Sequence, residues 1–575
     1  MTPALAIVLA ASLAQAETVR NPGLFFFAAI GEVTSLDPVH PYEAMSQGTI
    51  FNVYDTLLAF EGETNDKIVG RLATKVPGAA NGLVSKDGRT YTFPIRKGVK
   101  FHDGKPMTPE DVRYSLMRFM LTDPAGGPAA LMLEPILGVQ STRDAKGQLQ
   151  IDFADVEKAV KVEGDNVVVR LKDSFGPFLS IMARWSYVMS REWAKEHGEW
   201  DGAAATWKAF NDPPREKSYF FDHANGTGPF ELERWDRPGK KLILKRAAGY
   251  WGKPAQIQRI VAAAVPEFST RKLMLQVGDA DLIEVPRSFL PQLQNLEGVR
   301  IADKLPRLQT DPALFFTFAI NPVANPDIAS GKLDGDGIPP DFFTDVDVRK
   351  GFAWSFDYDA YLRDTFKGTA RRAKGPVPPG LPGYDPKGKY YTHDLAKAAE
   401  HFKKAWGGKV WEKGFRFTIT YNTGGELRET ACMILKKNVE SLNPKFRVDL
   451  RGVDWPSFLD KAQRKLMPLF ARGWTADYPD AHNFVFPFYH SKGRYPSAQG
   501  FSDPKLDELI DRAVRTVDAK EREKLYWKIQ ELGFEAVPSI LTVHPTGVYA
   551  MREWIKGFYD NAVFMEIFFH PLRKE

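Results

Sequence analysis

Gly473-Trp474-Thr475-Ala476-Asp477-Tyr478-Pro479-Asp480-Ala481-His482-Asn483-Phe484 is the stretch whose residue types come nearest to chemistry. A carboxylate, Asp477, stands between two aromatics just beyond Leu469-Phe470-Ala471, an apolar run that reads as a strand. Open α/β sheets place ligands beyond their strand ends. A carboxylate in a poorly solvated cleft there could bind a cation. The same residues admit a structural reading, in which Asp477 caps a turn and Trp474 is core. A second stretch, Phe101-His102-Asp103-Gly104-Lys105-Pro106-Met107-Thr108-Pro109-Glu110-Asp111-Val112-Arg113-Tyr114-Ser115-Leu116, is explained by folding alone. Asp103-Gly104 is a turn dipeptide. Thr108 caps a helix, Pro109 takes its first position, and Asp111 returns the cap. Val112, Leu116 and Phe119 make the buried face.

Other chemistries find no footing. The chain has no HExxH or paired-cysteine spacing for a metal, no GxSxG elbow, and neither a Walker A loop nor GxGxxG. The reading is therefore no catalytic residue, no metal and no cofactor. The ten histidines are scattered, and His482 with His490 lacks the spacing for joint ligation from one helix. The one cysteine, Cys432, lies in an apolar helical stretch, so it reads as a small buried hydrophobe and cannot form an internal disulfide. A net charge of +5, from 77 basic and 72 acidic residues with no long Lys/Arg block, argues against nucleic acid. The 13% aromatic content fits either large cores or a lined cleft.

At the N-terminus, the apolar run 4–11 is followed by Ala14-Gln15-Ala16. It is too short to span a bilayer, and the small-x-small pattern reads as a cleavage site. The expectation is a signal peptide over residues 1–16 and a periplasmic mature chain. The bland alternative is a frayed apolar terminus of a cytosolic protein.

The elements that must position these residues alternate between strand-like and helical patterns, which implies mixed α/β architecture. At 575 residues the chain is long enough for several lobes. Gly226-Thr227-Gly228-Pro229 is a turn leading into Phe230-Glu231-Leu232-Glu233, and Pro238-Gly239 reverses the chain into Lys241-Leu242-Ile243-Leu244, a β-hairpin. Helices are expected from Ser269 or Thr270 to Gly278, from Asp347 to Asp357, through Tyr361 and Leu362 to Gly368, and twice more through Leu506–Val517 and Leu525–Leu532. Lys374 to Gly383, with four prolines, cannot be regular structure and is expected as an extended surface or cleft segment.

Taken in order, these stretches resemble the extracellular solute-binding proteins of family 5, the peptide- and nickel-type receptors of ABC importers. The resemblance rests on Ser35-Leu36-Asp37-Pro38, Phe101 to Leu116, Gly226 to Phe230, Tyr250-Trp251-Gly252, Gly278-Asp279-Ala280-Asp281, Asp347-Val348-Arg349, and Trp474 to Phe484. It implies a two-lobed periplasmic binding protein of the class II, cluster C type with an extra subdomain inserted in lobe I. The implied boundaries are 17–58, an inserted 59–175 and 176–285 in lobe I, 286–544 as lobe II, and 545–575 returning to lobe I. It further implies that Asp477 pairs with a peptide α-ammonium. Backbone of Trp474, Thr475, Ala476 and Asp477, with Tyr478 beside them, would meet the ligand from lobe II, and Tyr42, Glu43, Ala44 and Met45 from lobe I.

The carboxylate end is less defined. Dipeptide receptors of the family place an arginine near the loop matching Tyr421-Asn422-Thr423, and none stands at those positions here. Longer-peptide receptors carry one at the position of Ala471. Arg472 is one residue off, which in a strand points it to the opposite face. Arg371, Arg372 and Lys374 are the remaining candidates to meet an anion, or else a solvated basic surface. The implied role is a monomeric receptor that delivers an oligopeptide or peptide-like solute to an inner-membrane ABC permease. The alternatives are a non-peptide cargo such as an oligosaccharide or sugar–opine conjugate, a periplasmic chaperone, and a secreted glycosidase using Asp477 and Asp480 as acid and base.

Overall fold

The computed structural model describes residues 19–144, 146–564 and 567–575; the expected signal peptide lies outside them. Two sheets organise the chain. The first has seven strands in the order Val299–Leu305, Gly547–Arg552, Leu282–Glu284, Leu24–Ala29, Arg259–Ala264, Lys241–Arg246 and Phe230–Asp236. Leu24–Ala29 is parallel to both its neighbours and its side chains are mostly buried, as a central strand requires. The second sheet has five strands, Phe446–Val453, Phe415–Asn422, Leu469–Thr475, Gln309–Phe316 and Ser539–Leu541. Each sheet anchors one lobe.

The inserted subdomain is a three-stranded antiparallel sheet, Thr90–Pro94, Asn166–Arg170 and Val160–Glu163, covered by the helix Pro109–Thr122. That helix starts as its sequence dictates. Thr108 Oγ1 accepts from Asp111 N at 3.4 Å, and Thr108 N donates to the Asp111 carboxylate at 2.8 Å. Val112, Leu116 and Phe119 are buried. The turn at Gly226 and Gly228 needs glycine for a reason of space: a Cβ on Gly226 would sit 2.1 Å from the Val53 carbonyl oxygen, which Gly228 N approaches at 2.9 Å.

One expectation is corrected and one is narrowed. The chain does not leave lobe I at Pro286. It continues through Arg287–Leu293 and returns to the first sheet as Val299–Leu305, paired with Gly547–Arg552. The crossings between sheets are therefore 306–308 and 545–546. The proline-rich segment is irregular as expected, and its placement is narrowed from surface or cleft: Gly375, Pro376, Val377 and Pro378 are buried, while Gly380 and Pro382 are exposed. Pro376 O accepts from Thr310 Oγ1 at 2.8 Å, which ties the segment to the first residues of the second sheet.

Arg118 on the signature helix is fully buried beneath the Phe220 ring and pairs with Asp37 through two hydrogen bonds of 2.7 Å and with Glu199 at 3.1 Å. Burial works to raise the Asp37 carboxyl, but the guanidinium overrides it and holds Asp37 at about 2. This triad binds the opening motif to the inserted subdomain. Cys432 is fully buried in lobe II, and burial pushes its thiol well above the ordinary range.

Candidate functional site

The strand Leu469–Thr475 alternates between two environments. Leu469 and Ala471 face the lobe II core, while Phe470, Arg472 and Trp474 face the opposite side. The backbone stays extended past the strand, with Ala476 N donating to Leu308 O at 2.9 Å, so Asp477 emerges at the strand's C-terminal end beside the crossing between lobes.

Asp477 is then fixed from both lobes. Within lobe II, Asn483 Oδ1 accepts from Asp477 N at 2.8 Å and from Trp474 Nε1 at 3.2 Å, while Asn483 Nδ2 donates to the Asp477 carboxylate at 3.3 Å. From lobe I, Trp185 Nε1, on the helix Phe178–Trp185, donates to the Asp477 carbonyl at 2.8 Å. Tyr42 packs on the other side of Trp185, ring centroids 5.8 Å apart. Three more contacts join the lobes: Gly176 N to Val514 O at 3.0 Å, Ser174 Oγ to Arg515 O at 3.1 Å, and the Phe175 ring edge-on to His482.

The electrostatics of Asp477 are unusual for a carboxylate. It is 8% exposed, and no cation of a described residue lies within ion-pair distance. Burial pushes its carboxyl up to about 6, against the Asn483 hydrogen bond and the more distant charge of Arg184. Tyr42 is held well above its ordinary value, first by its crowded surroundings and then by the Asp477 charge, although half of its area still meets solvent. Asp480, three residues on, is different. Its carboxylate accepts two 2.8 Å bonds from Arg522. The two aspartates therefore do not form the free acid–base pair that glycoside hydrolysis asks for.

The other expected residues divide. Ala476 and Tyr478 are buried in the apolar cluster, and Thr475 pairs with Gln309. In lobe I, Glu43 caps the helix Ala44–Val53, accepting from Ser46 N and Thr34 Oγ1 at 2.7 Å each, so its side chain is structural. Ala44 is exposed and, with Met45, forms that helix's first turn, whose N–H groups have no intrahelical acceptor. Tyr421 donates to Glu429 at 2.7 Å, and exposed Thr423 donates its N–H to Val453 O. Arg371 is exposed on a two-residue strand opposite His544, with no hydrogen bond or ion pair joining it to Asp477 or to the loop 421–423.

The basic group beside that loop comes from elsewhere. Arg428, on the helix Glu426–Leu442, donates to Asn422 Oδ1 at 2.8 Å and grips Asp311 with bonds of 3.0 and 2.7 Å. Gly473 makes room for that pair, since a Cβ there would fall 2.1 Å from the Asp311 side chain. Arg472 stacks between the Trp455 and Tyr495 rings, at 5.1 and 5.6 Å, with no hydrogen bond or ion pair to a described residue. Burial lowers its guanidinium, and nearby Arg494 and Arg428 lower it further. Arg494 is exposed, and its charge reaches Tyr42 of lobe I. Arg428 escapes a sequence reading because it lies past the loop, on the following helix. Arg472 was visible only as the residue on the far face of its strand. Asp477 is thus an acidic group at the contact between lobes, and Arg494 is a basic one whose charge reaches lobe I, with Arg472 beside it on lobe II.

The sequence pattern of the bacterial extracellular solute-binding proteins, family 5 middle, matches residues 67–496. A probable D,D-dipeptide-binding periplasmic protein of Escherichia coli K12, DdpA, is 23% identical over 98% of this chain and 96% of its own length. The dipeptide-binding protein of the same organism is 26% identical over 88% of this chain and 86% of its own. Among solved structures, Helicobacter pylori DppA in complex with the peptide STSA has a TM-score of 0.74 at 23% identity, covering 96% of this chain and 98% of that one. The Agrobacterium AgaA complex with agropinic acid has a TM-score of 0.71 at 20% identity, covering 96% and 99%.

Proposed function

The chain belongs to the bacterial extracellular solute-binding proteins of family 5, and from that premise we propose that it is a periplasmic receptor for a zwitterionic oligopeptide or peptide-like solute. Two lobes close on the cargo, which is handed to an inner-membrane ABC permease without chemical change. The observation that carries this is the buried Asp477 carboxylate, which receives an amide hydrogen bond from Asn483 but no cation from the described residues. A buried ion is tolerated only when paired and hydrogen-bonded, and a ligand ammonium supplies the missing charge. Arg472, with its guanidinium within cation–π distance of two aromatic rings and no hydrogen-bonding side-chain partner among the described residues, supplies a donor fork for the cargo's carboxylate. That assignment replaces Arg371.

Family relatives point the same way: several are peptide-binding by name, and one similar structure holds a peptide. A sugar–opine conjugate satisfies the same two charges, and the AgaA complex holds agropinic acid. A neutral oligosaccharide does not, because it leaves Asp477 unpaired. Export by the N-terminal segment and a monomeric state belong to the same reading. The test is native mass spectrometry of freshly purified protein, followed by denaturation and identification of what is released. The expected compound carries a free amine and an acid; a neutral saccharide would refute the charge-pairing mechanism.

A further inference from the structure

The buried proline-rich segment lies against the helix Ala519–Ala536, and between them a narrow pocket opens that shares no lining residue with the cleft. One wall is the edge of the second sheet, where Ser539 and Leu541, alternate residues of the strand Ser539–Leu541, turn to the same side, next to Val537 at the end of the helix. Arg372 and Lys374 line it, the two residues besides Arg371 that the sequence offered as anion contacts.

No carboxylate of a described residue lies within ion-pair distance of Arg372 or Lys374, although Glu531 and Glu535 stand nearby on Lys389. Arg372 donates to Leu541 O at 3.0 Å, Thr542 O at 2.6 Å and Tyr391 O at 2.6 Å, with the Tyr358 ring centroid 3.3 Å from its guanidinium carbon. Three carbonyls do not exhaust its five N–H donors. Burial lowers it to about 10, against the pull first of the Tyr358 phenol and then of Asp359, whose carboxylate is not within ion-pair distance. Lys374 donates to Pro386 O at 2.5 Å and has no described acid beside it. Lys389, at the rim, is already engaged by Glu531 and Glu535. Ser539 is 8% exposed, and its hydroxyl has no hydrogen-bond partner. Leaving a buried hydroxyl unpaired costs stability, and the two half-buried cations are met here by neutral acceptors only.

We propose that this pocket is a second binding site, for a small oxyanion of the inorganic phosphate or short carboxylate class, held by Lys374, a free edge of Arg372 and the Ser539 hydroxyl. Two positive charges and a hydroxyl donor match an anion rich in acceptor oxygens, through charge-assisted bonds. The site does not depend on the cargo reading. It borders the crossing between lobes, since Arg372 and Arg371 pair with Val543 and His544, the last strand of lobe II.

The experiment is thermal unfolding of the full chain, titrated with sodium phosphate and in parallel with sodium acetate, against sodium chloride at matched ionic strength. The expected result is a saturable rise in Tm with at least one oxyanion, retained in Arg472→Ala and Asp477→Asn. Ser539→Ala and Lys374→Gln, which leave Arg372 in place, should each weaken the apparent affinity at least tenfold. No saturable rise with either anion overturns the proposal, as does a rise unchanged in both pocket variants. A rise lost in Arg472→Ala but kept in Lys374→Gln would place the anion in the cleft and overturns it equally. None of these outcomes bears on whether Asp477 pairs with an ammonium.

Discussion

Asp477→Asn should do two opposite things. Raising a carboxyl from its ordinary 3.8 to about 6 by burial makes its ionised form roughly 3 kcal/mol less favourable. On the pairing proposed above, that cost is assigned to lobe closure on a cargo without an ammonium. A cargo with one repays it, and removing one partner of a buried pair costs about 3–5 kcal/mol. For a free-amine peptide the variant should therefore bind on the order of a hundred- to a thousandfold more weakly. For the same peptide N-acetylated, the wild type carries the penalty and the variant does not, so the variant should bind at least as well. Isothermal titration of both peptides against both proteins at pH 7.5 measures the inversion. The sign with pH follows. The closed form without ammonium takes up a proton that the open form lacks between about pH 4 and 6, so acidification toward pH 5 should favour it, read as a smaller radius of gyration by solution scattering in the wild type only. A loss of less than about threefold on the free-amine peptide would refute the pairing role, as would equal losses on both peptides.

Arg472→Ala should weaken peptides with a free carboxylate by roughly ten- to a hundredfold, the worth of a hydrogen bond to a charged group, while C-terminally amidated peptides lose little; competition binding separates the two. Trp185→Phe keeps an aromatic ring but removes the donor to the Asp477 carbonyl, about 1 kcal/mol, so the dissociation constant should rise roughly fivefold. Arg118→Met strands Asp37 and Glu199 in the interior and should destabilise lobe I by about 3–5 kcal/mol in urea unfolding. Because Asp37 is depressed to about 2, its contribution is full above about pH 4 and lost as pH falls through 2; the variant should lose that dependence. Cys432 should resist thiol reagents in the native protein and react only on unfolding, since it is fully buried and its thiolate is disfavoured.

Local signals carried the sequence reading furthest. Thr108, Pro109 and Asp111 specify a helix start within four residues, and the close pass of Gly226 and Gly228 over Val53 leaves a glycine signature. Asp477 stood out as an acid directly beyond an apolar strand, but its residue type left a turn cap open as well, and only the family resemblance singled it out for an ammonium. Features that depend on distant partners were not legible. Val299–Leu305 belongs to lobe I only because Gly547–Arg552 returns from the far end of the chain to pair with it, and no periodicity in 286–305 announces that. Trp185 looks like one more core tryptophan until the lobes meet and its indole finds the Asp477 carbonyl. The burial of Gly375 to Pro378 could not be read from the prolines, because missing N–H donors argue against regular structure, not against burial. The segment's carbonyls are met by side chains such as Thr310.

The uncompensated acid at Asp477 also bears on timing at the membrane. A clamshell that shuts readily with nothing inside would present its transport partner with false deliveries, each risking a wasted round of ATP hydrolysis. A penalty of roughly 3 kcal/mol holds such blank closures to under about one in a hundred relative to a clamshell without it. One side chain, left hungry for positive charge, can thus act as a proofreader of occupancy before any contact with the transporter is made.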